Sequence, residues 1–378
     1  MSLRLESITL REIRIPLRNP IPFAQTPSVD RRVLLLTLHD VDGVQAWTEC
    51  LVGDRPTMSP ETVDTAWLAI HNWIGPRVLS QSLVHPNSVD NILHRSIRGH
   101  LRAKAAVEMG LWALWAERET TSLSRLLGGT RTTVPAGISI EVQDKPDILV
   151  TKVRKALVLG YQKITVCIRP GADVQFVGEI RNVLGMSVPL AVDCRGTYTV
   201  ELIDALQDVA AFRPLLMKQP FPPANLLRHS KLQDIIEPPL SLHDSITQVV
   251  DVEEMVTLGA ARVANIQASR VGGFTQAKAI HDFCQHNNVD AYCGGEINTG
   301  IGRAYDIALA SLLHFSTPST ISASSQHWNE DIVAPTLSMD AAGWLPVPTE
   351  RSGLGVSINE DRIDNLTVRE KTLRTPGS

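Results

Sequence analysis

Between Val134 and Gly295 the sequence alternates short β-branched runs with helix-forming segments, and the spacing of those runs constrains the fold most. The runs are VPAGISI, YQKITVCI, VPLAVDC, PLLMKQP, PLSLHDS, ARVANIQAS and VDAYCGG. From the second run onward, the last polar residues are Cys167, Asp193, Lys218, His243, Gln267 and Cys293, at intervals of 26, 25, 25, 24 and 26 residues. Such an interval holds one strand, one helix and two loops, the repeat of a parallel sheet with helical crossovers. Seven repeats in succession predict an α/β fold of the closed (β/α)8 TIM-barrel type rather than an open sheet. In a barrel, the side chains at the C-terminal strand ends converge. Thr165, Cys167, Asp193, Lys218, His243, Gln267 and Cys293 are therefore expected to ring one pocket. Alternation along a strand adds Arg169 to the face of Thr165 and Cys167.

The chain ahead of the barrel has a different texture. SITLREIRIPL and RRVLLLTLHDVDGVQAWTEC read as strands, the second folded at Asp42-Gly43. SPETVDTAWLAIHNWI reads as a helix with Ser59 as N-cap and Glu61 in its first turn, and RAKAAVEMGLWALWAERE as a second helix. The expected domains are an N-terminal α+β cap over 1–130, a barrel over 131–330, and a C-terminal segment, 331–378, that returns to the cap. Net charge is −4 with no basic block, which argues against nucleic acid as a partner. Five cysteines without CxxC spacing fit a reduced, cytoplasmic chain better than a disulfide framework or zinc site. No stretch is long and apolar enough to span a membrane. A small-molecule substrate and association into a homo-oligomer are expected.

The cap, SRLLGG ahead of the barrel, PAGISI, GYQKI, RVGG and CGGEINTGIGRA together resemble one group. It is the enolase superfamily, in its o-succinylbenzoate synthase and N-acylamino acid racemase branch. The resemblance covers nearly the whole chain. It implies a cap closing over a modified barrel, a lysine that removes a proton α to a carboxylate, and Mg²⁺ stabilising the enediolate.

Carried over residue by residue, the resemblance puts the catalytic Lys-x-Lys on Thr165 and Cys167 and the opposite lysine on Gln267. The three metal carboxylates fall on Asp193, Lys218 and His243. In the closing loop, methionine is replaced by Glu296 and glutamate by Asn298. Lysine and imidazole do not make an Mg²⁺ site, so neither metal nor cofactor is expected. Asp193, Lys218 and His243 are the expected catalytic cluster. Lys218 acts there as a fixed cation paired with Asp193, and His243 as the proton-transfer group. Thr165, Cys167, Arg169, Arg195, Asp244, Gln267, Glu296 and, in the cap, Phe23 are expected to contact substrate. With no base on either face, two-base racemisation looks excluded. The expected function is a metal-independent lyase, isomerase or cyclase of specialised metabolism. A catalytically silent relative that binds a ligand or partner is the alternative, and an Mg²⁺-dependent racemase or synthase a weaker one.

Overall fold

The computed structural model describes residues 2–21, 28–57 and 59–375. Phe23 lies outside them. Strands β1 (Leu5–Ile21), β2 (Ser28–Asp40) and β3 (Gln45–Cys50) form an antiparallel sheet, and strand Thr367–Arg374 pairs with the free edge of β1. Gly43 sits at φ +85° in the β2–β3 turn, a left-handed position that glycine enters without a Cβ clash.

Helix α1 (Leu101–Arg118) lies between this sheet and the barrel. Its residues from Arg102 to Leu114 are all buried, so it carries no single apolar stripe. The shorter helix before it departs from the sequence reading. It begins at Val63, with Thr62 and Thr65 forming a reciprocal cap. Glu61 instead caps α1, accepting the amides of Arg102 at 2.8 Å and Ala103 at 3.0 Å.

The seven repeats form one parallel sheet of β4 (Gly137–Ile140), β5 (Lys163–Cys167), β6 (Leu190–Asp193), β7 (Met217–Lys218), β8 (Leu240–Leu242), β9 (Val263–Ile266) and β10 (Asp290–Cys293). They are hydrogen-bonded in chain order. The eighth side is an irregular segment. Thr317 and Thr320 donate to β10, and Gly137 of β4 donates to Ile321. The ring is closed without a regular eighth strand.

Two cap carboxylates hold the cap to the barrel. Glu49 of β3 accepts the amides of Thr299 and Gly302 and the Thr299 hydroxyl, at the start of helix α3 (Gly300–Ala310). Glu108 of α1 accepts the amides of Phe274 and Thr275 and the Thr275 hydroxyl, at the start of helix α2 (Phe274–His286). Each carboxylate meets orphan N–H groups at the positive end of a helix dipole. This explains the RVGG motif, because a Cβ on Gly273 would stand 2.1 Å from the Glu108 carboxylate. Among the described residues, no helix is long and apolar enough to cross a membrane.

Candidate active site

The C-terminal ends of β5 to β9 bring most of the expected residues together. Asp193 ends β6 and Lys218 ends β7, directly opposite it in register. The Lys218 ammonium lies 2.9 Å from Asp193 Oδ2, while the Arg195 amide donates to Oδ1 at 3.0 Å. Burial alone would raise the Asp193 pKa, but Lys218 and Arg195 outweigh it and hold the acid below its ordinary value. Burial likewise opposes the charge on Lys218, yet Asp193 keeps the ammonium above its ordinary range. The pair is a permanent dipole at the barrel mouth.

His243 follows β8. Its Nδ1 lies 2.8 Å from Asp244 Oδ1 and its Nε2 lies 3.2 Å from Gln267 Oε1. Burial, then Arg270 and Lys218, push the ring down to about 4. At neutral pH it therefore carries one proton, which belongs on Nδ1 beside the Asp244 carboxylate. The Nε2 lone pair then faces the Gln267 oxygen, which also accepts from Arg270 at 3.2 Å. A proton arriving at Nε2 would turn that acceptor–acceptor contact into a hydrogen bond. His243 is oriented by Asp244; Asp193 is engaged elsewhere.

The remaining positions divide. Thr165 and Cys167 are buried on β5, and burial followed by Asp193 holds the Cys167 thiol protonated. Gln267 is fully buried. Arg195 donates to Glu141 Oε1 at 2.6 Å. Glu296 lies against Arg102 of the cap.

Two residues depart from expectation. Strand β5 stops at Cys167, so alternation does not carry to Arg169, which is exposed in the following turn. Cys293 points away from the ring, its Sγ 3.6 Å from the Asp306 carbonyl. Tyr292 faces inward instead, and its hydroxyl accepts from Asn265 at 2.9 Å.

Sequence reasoning also passed over Lys163. It sits on the inward face of β5, 1% exposed, with its ammonium 3.5 Å from the Tyr292 ring centroid. The amine makes no hydrogen bond, and burial followed by Lys218 pulls its pKa well below that of an ordinary lysine. The signal was the alternation that also selected Thr165 and Cys167, extended one step deeper.

Two family models match the chain. Residues 6–128 match the "Mandelate racemase / muconate lactonizing enzyme, N-terminal domain" and residues 149–362 match "Enolase C-terminal domain-like". The chain belongs to the enolase superfamily. It is 34% identical to an o-succinylbenzoate synthase of Bacillus subtilis (strain 168), with 95% of each chain covered. It is 33% identical to an N-succinylamino acid racemase of Amycolatopsis sp, covering 97% of this chain and 98% of that one. A crystal structure of an enolase-superfamily member from Listeria innocua Clip11262 superposes with a TM-score of 0.93 at 28% identity, covering 99% of this chain and 100% of that one.

These relatives bear out the resemblance read from the motifs. They also overturn the expectation of a metal-independent enzyme of specialised metabolism and its alternative of a silent binding protein. The matched proteins are named as synthases and racemases, in a superfamily whose resemblance implies Mg²⁺.

The residues around Asp193, as arranged here, do not fit a divalent ion. The one carboxylate at the three positions assigned to metal ligands is engaged by Lys218 and the Arg195 amide. Among the described residues, no group of three His, Cys, Asp or Glu side chains is placed to hold a metal. Mg²⁺ needs several oxygen ligands in near-octahedral order.

Proposed function

We propose that this enolase-superfamily chain is an enzyme that moves a proton on a small carboxylic acid at the barrel mouth, in the manner of its o-succinylbenzoate synthase relatives. The observation that carries the reading is the Asp244–His243 pair with Nε2 turned towards an acceptor, on the same rim as the Lys218–Asp193 pair. His243 takes the substrate's α-proton at Nε2 in place of its Gln267 contact, Asp244 holds Nδ1–H, and the ring passes the proton to the departing hydroxyl, so that a C–H and a C–O bond break, C=C forms and water leaves. Lys218 supplies a fixed positive charge where negative charge develops on the substrate. Thr165, Cys167 and Arg195 line the approach.

An eliminating synthase is favoured over a racemase. Racemisation by two bases needs a proton acceptor on each face of the substrate carbon. Thr165 and the protonated Cys167 thiol offer none on one face, and Gln267 offers none on the other.

The test is turnover by the purified protein. We expect formation of o-succinylbenzoate from the precursor that the relatives use, with little solvent deuterium exchange into N-succinylamino acids. His243→Gln should lower kcat by roughly 10²- to 10⁴-fold, the usual weight of one positioned acid–base group. Full activity in both His243→Gln and Lys218→Met would move the chemistry off these strands.

A further inference from the structure

The other acids of the mouth are answered within the barrel, but Glu296 is answered from the cap. Arg102, in the first turn of α1, is 6% exposed and grips the Glu296 carboxylate with both terminal nitrogens, at 3.0 and 2.6 Å. A forked contact of this kind is how arginine recognises a free carboxylate.

The arginine is held in place without its acid. Its Nη1 also donates to the Leu51 carbonyl at 2.6 Å, and Glu61 accepts its backbone amide. The loop carrying Glu296 is likewise anchored elsewhere. Thr299 is bound by Glu49, and the Asn298 carbonyl accepts from Arg303 and Trp328. Neither partner depends on the ion pair for its position.

Behind Glu296 lies Gln267, fully buried, whose amide nitrogen has no hydrogen-bond partner. Its nearest acceptor is Glu296, which burial would neutralise and which Arg102 foremost, then Arg31 and this amide, keep ionised. With Glu296 withdrawn, this buried N–H donor would have no acceptor at all, which costs stability unless another carboxylate oxygen takes the place. The same amide's oxygen faces His243 Nε2 at 3.2 Å, so this seat adjoins the reacting end of the pocket.

We propose that Arg102 and the Gln267 amide nitrogen form a carboxylate subsite that Glu296 fills when no ligand is bound. A ligand's terminal carboxylate, at the end of a succinyl-type chain, displaces Glu296 and takes the arginine. The choice of a succinyl acid rests on the functional reading above. The subsite itself rests on the geometry.

The experiment is calorimetric titration of the full chain with succinate, and with neutral succinamide as control. Glu296→Gln leaves the arginine without a counter-charge, so succinate should bind at least ~10-fold more tightly than to the parent, which is about 1.4 kcal/mol. Succinamide should show no gain, and adding Arg102→Met to Glu296→Gln should abolish the gain for succinate. Glu296→Asp, which keeps the charge but shortens the reach, should show a smaller gain and covers the case in which Glu296→Gln does not fold.

Equal succinate affinity in parent and variants, an equal gain for succinamide, or a fall in Tm with no gain in binding would each reduce the pair to a domain latch and overturn the proposal. Binding and turnover fail separately. A gain in succinate affinity without o-succinylbenzoate formation sinks the functional reading alone, and turnover without the gain sinks this subsite alone.

Discussion

Buried carboxylates do opposite things at the cap–barrel seam and at the barrel mouth. At the seam, Glu49 and Glu108 are hydrogen-bonded by neutral donors (helix amides, hydroxyls and an indole N–H), and the charge of Arg31 acts on Glu49 only without contact. Burial is the largest influence on both, and it pushes each up to about 7 despite those donors. At the mouth, Asp193 is as deeply placed and Glu296 is partly buried, but each faces a full positive charge. Burial still opposes ionisation there, yet Lys218 holds Asp193 down and Arg102 brings Glu296 to about 2. Neutral hydrogen bonds soften the desolvation of a carboxylate, whereas an adjacent cation reverses its effect. The mouth therefore keeps fixed charges across the physiological range, and the seam is where pH acts.

The sharpest way to break this contrast is to remove a cation from the mouth. Lys218→Met leaves Asp193 buried and unanswered, and should destabilise the fold by about 3–5 kcal/mol in urea denaturation at pH 7. Adding Asp193→Asn to Lys218→Met should recover much of that loss, because the orphaned charge is gone. A cost that is unchanged in the double variant would mean that the two side chains do not act as a pair.

The seam makes the next prediction, through pH. The folded pKa of Glu49 and of Glu108 lies above the ordinary value of 4.5, at about 7. The folded state therefore binds these protons more tightly than the unfolded chain. Their contribution is fully present below pH 4.5 and is lost as pH rises towards 7. Glu296, lowered to about 2, has the opposite sign, and its contribution disappears only as pH falls through that value. Burial acts in the opposite sense on His229, His243 and His327, lowering them to about 4, 4 and 3, so these add stability as pH rises towards 6.5 and the carboxylates are read by difference. In urea midpoints from pH 5 to 8, the double variant Glu49→Gln, Glu108→Gln should gain on the parent as pH rises, and a constant offset between the two would place the titration elsewhere.

The smallest effect belongs to Arg169. Exposed in the turn after β5, it should tolerate alanine within about 0.5 kcal/mol and with unchanged kcat/KM. A large loss of activity would restore it to the pocket.

The period of about 25 residues made the barrel legible, because every strand of a closed parallel ring repeats the same supersecondary unit. It also made Asp193, Lys218, His243 and Gln267 legible as neighbours, since the final inward position of each strand points to one axis. The same rule misplaced Cys293. Taking the last polar residue of the run selected Cys293, but it is Tyr292 of β10 that faces inward, where its hydroxyl meets Asn265 of β9. Arg102 was invisible for another reason. In RAKAAVEMG it reads as an ordinary helix cation, and only the docking of cap on barrel brings it to Glu296. Phe23 lies outside the described residues.

The pairing of Thr367–Arg374 with β1 bears on how the chain is made. This outer strand leaves the ribosome after every barrel strand, so β1 shows a bare edge throughout barrel synthesis. Exposed strand edges recruit other chains. A stalled or clipped product ending before residue 367 would keep a formed barrel beside an open, sticky sheet, and its yield should fall through aggregation long before its catalytic rim is affected.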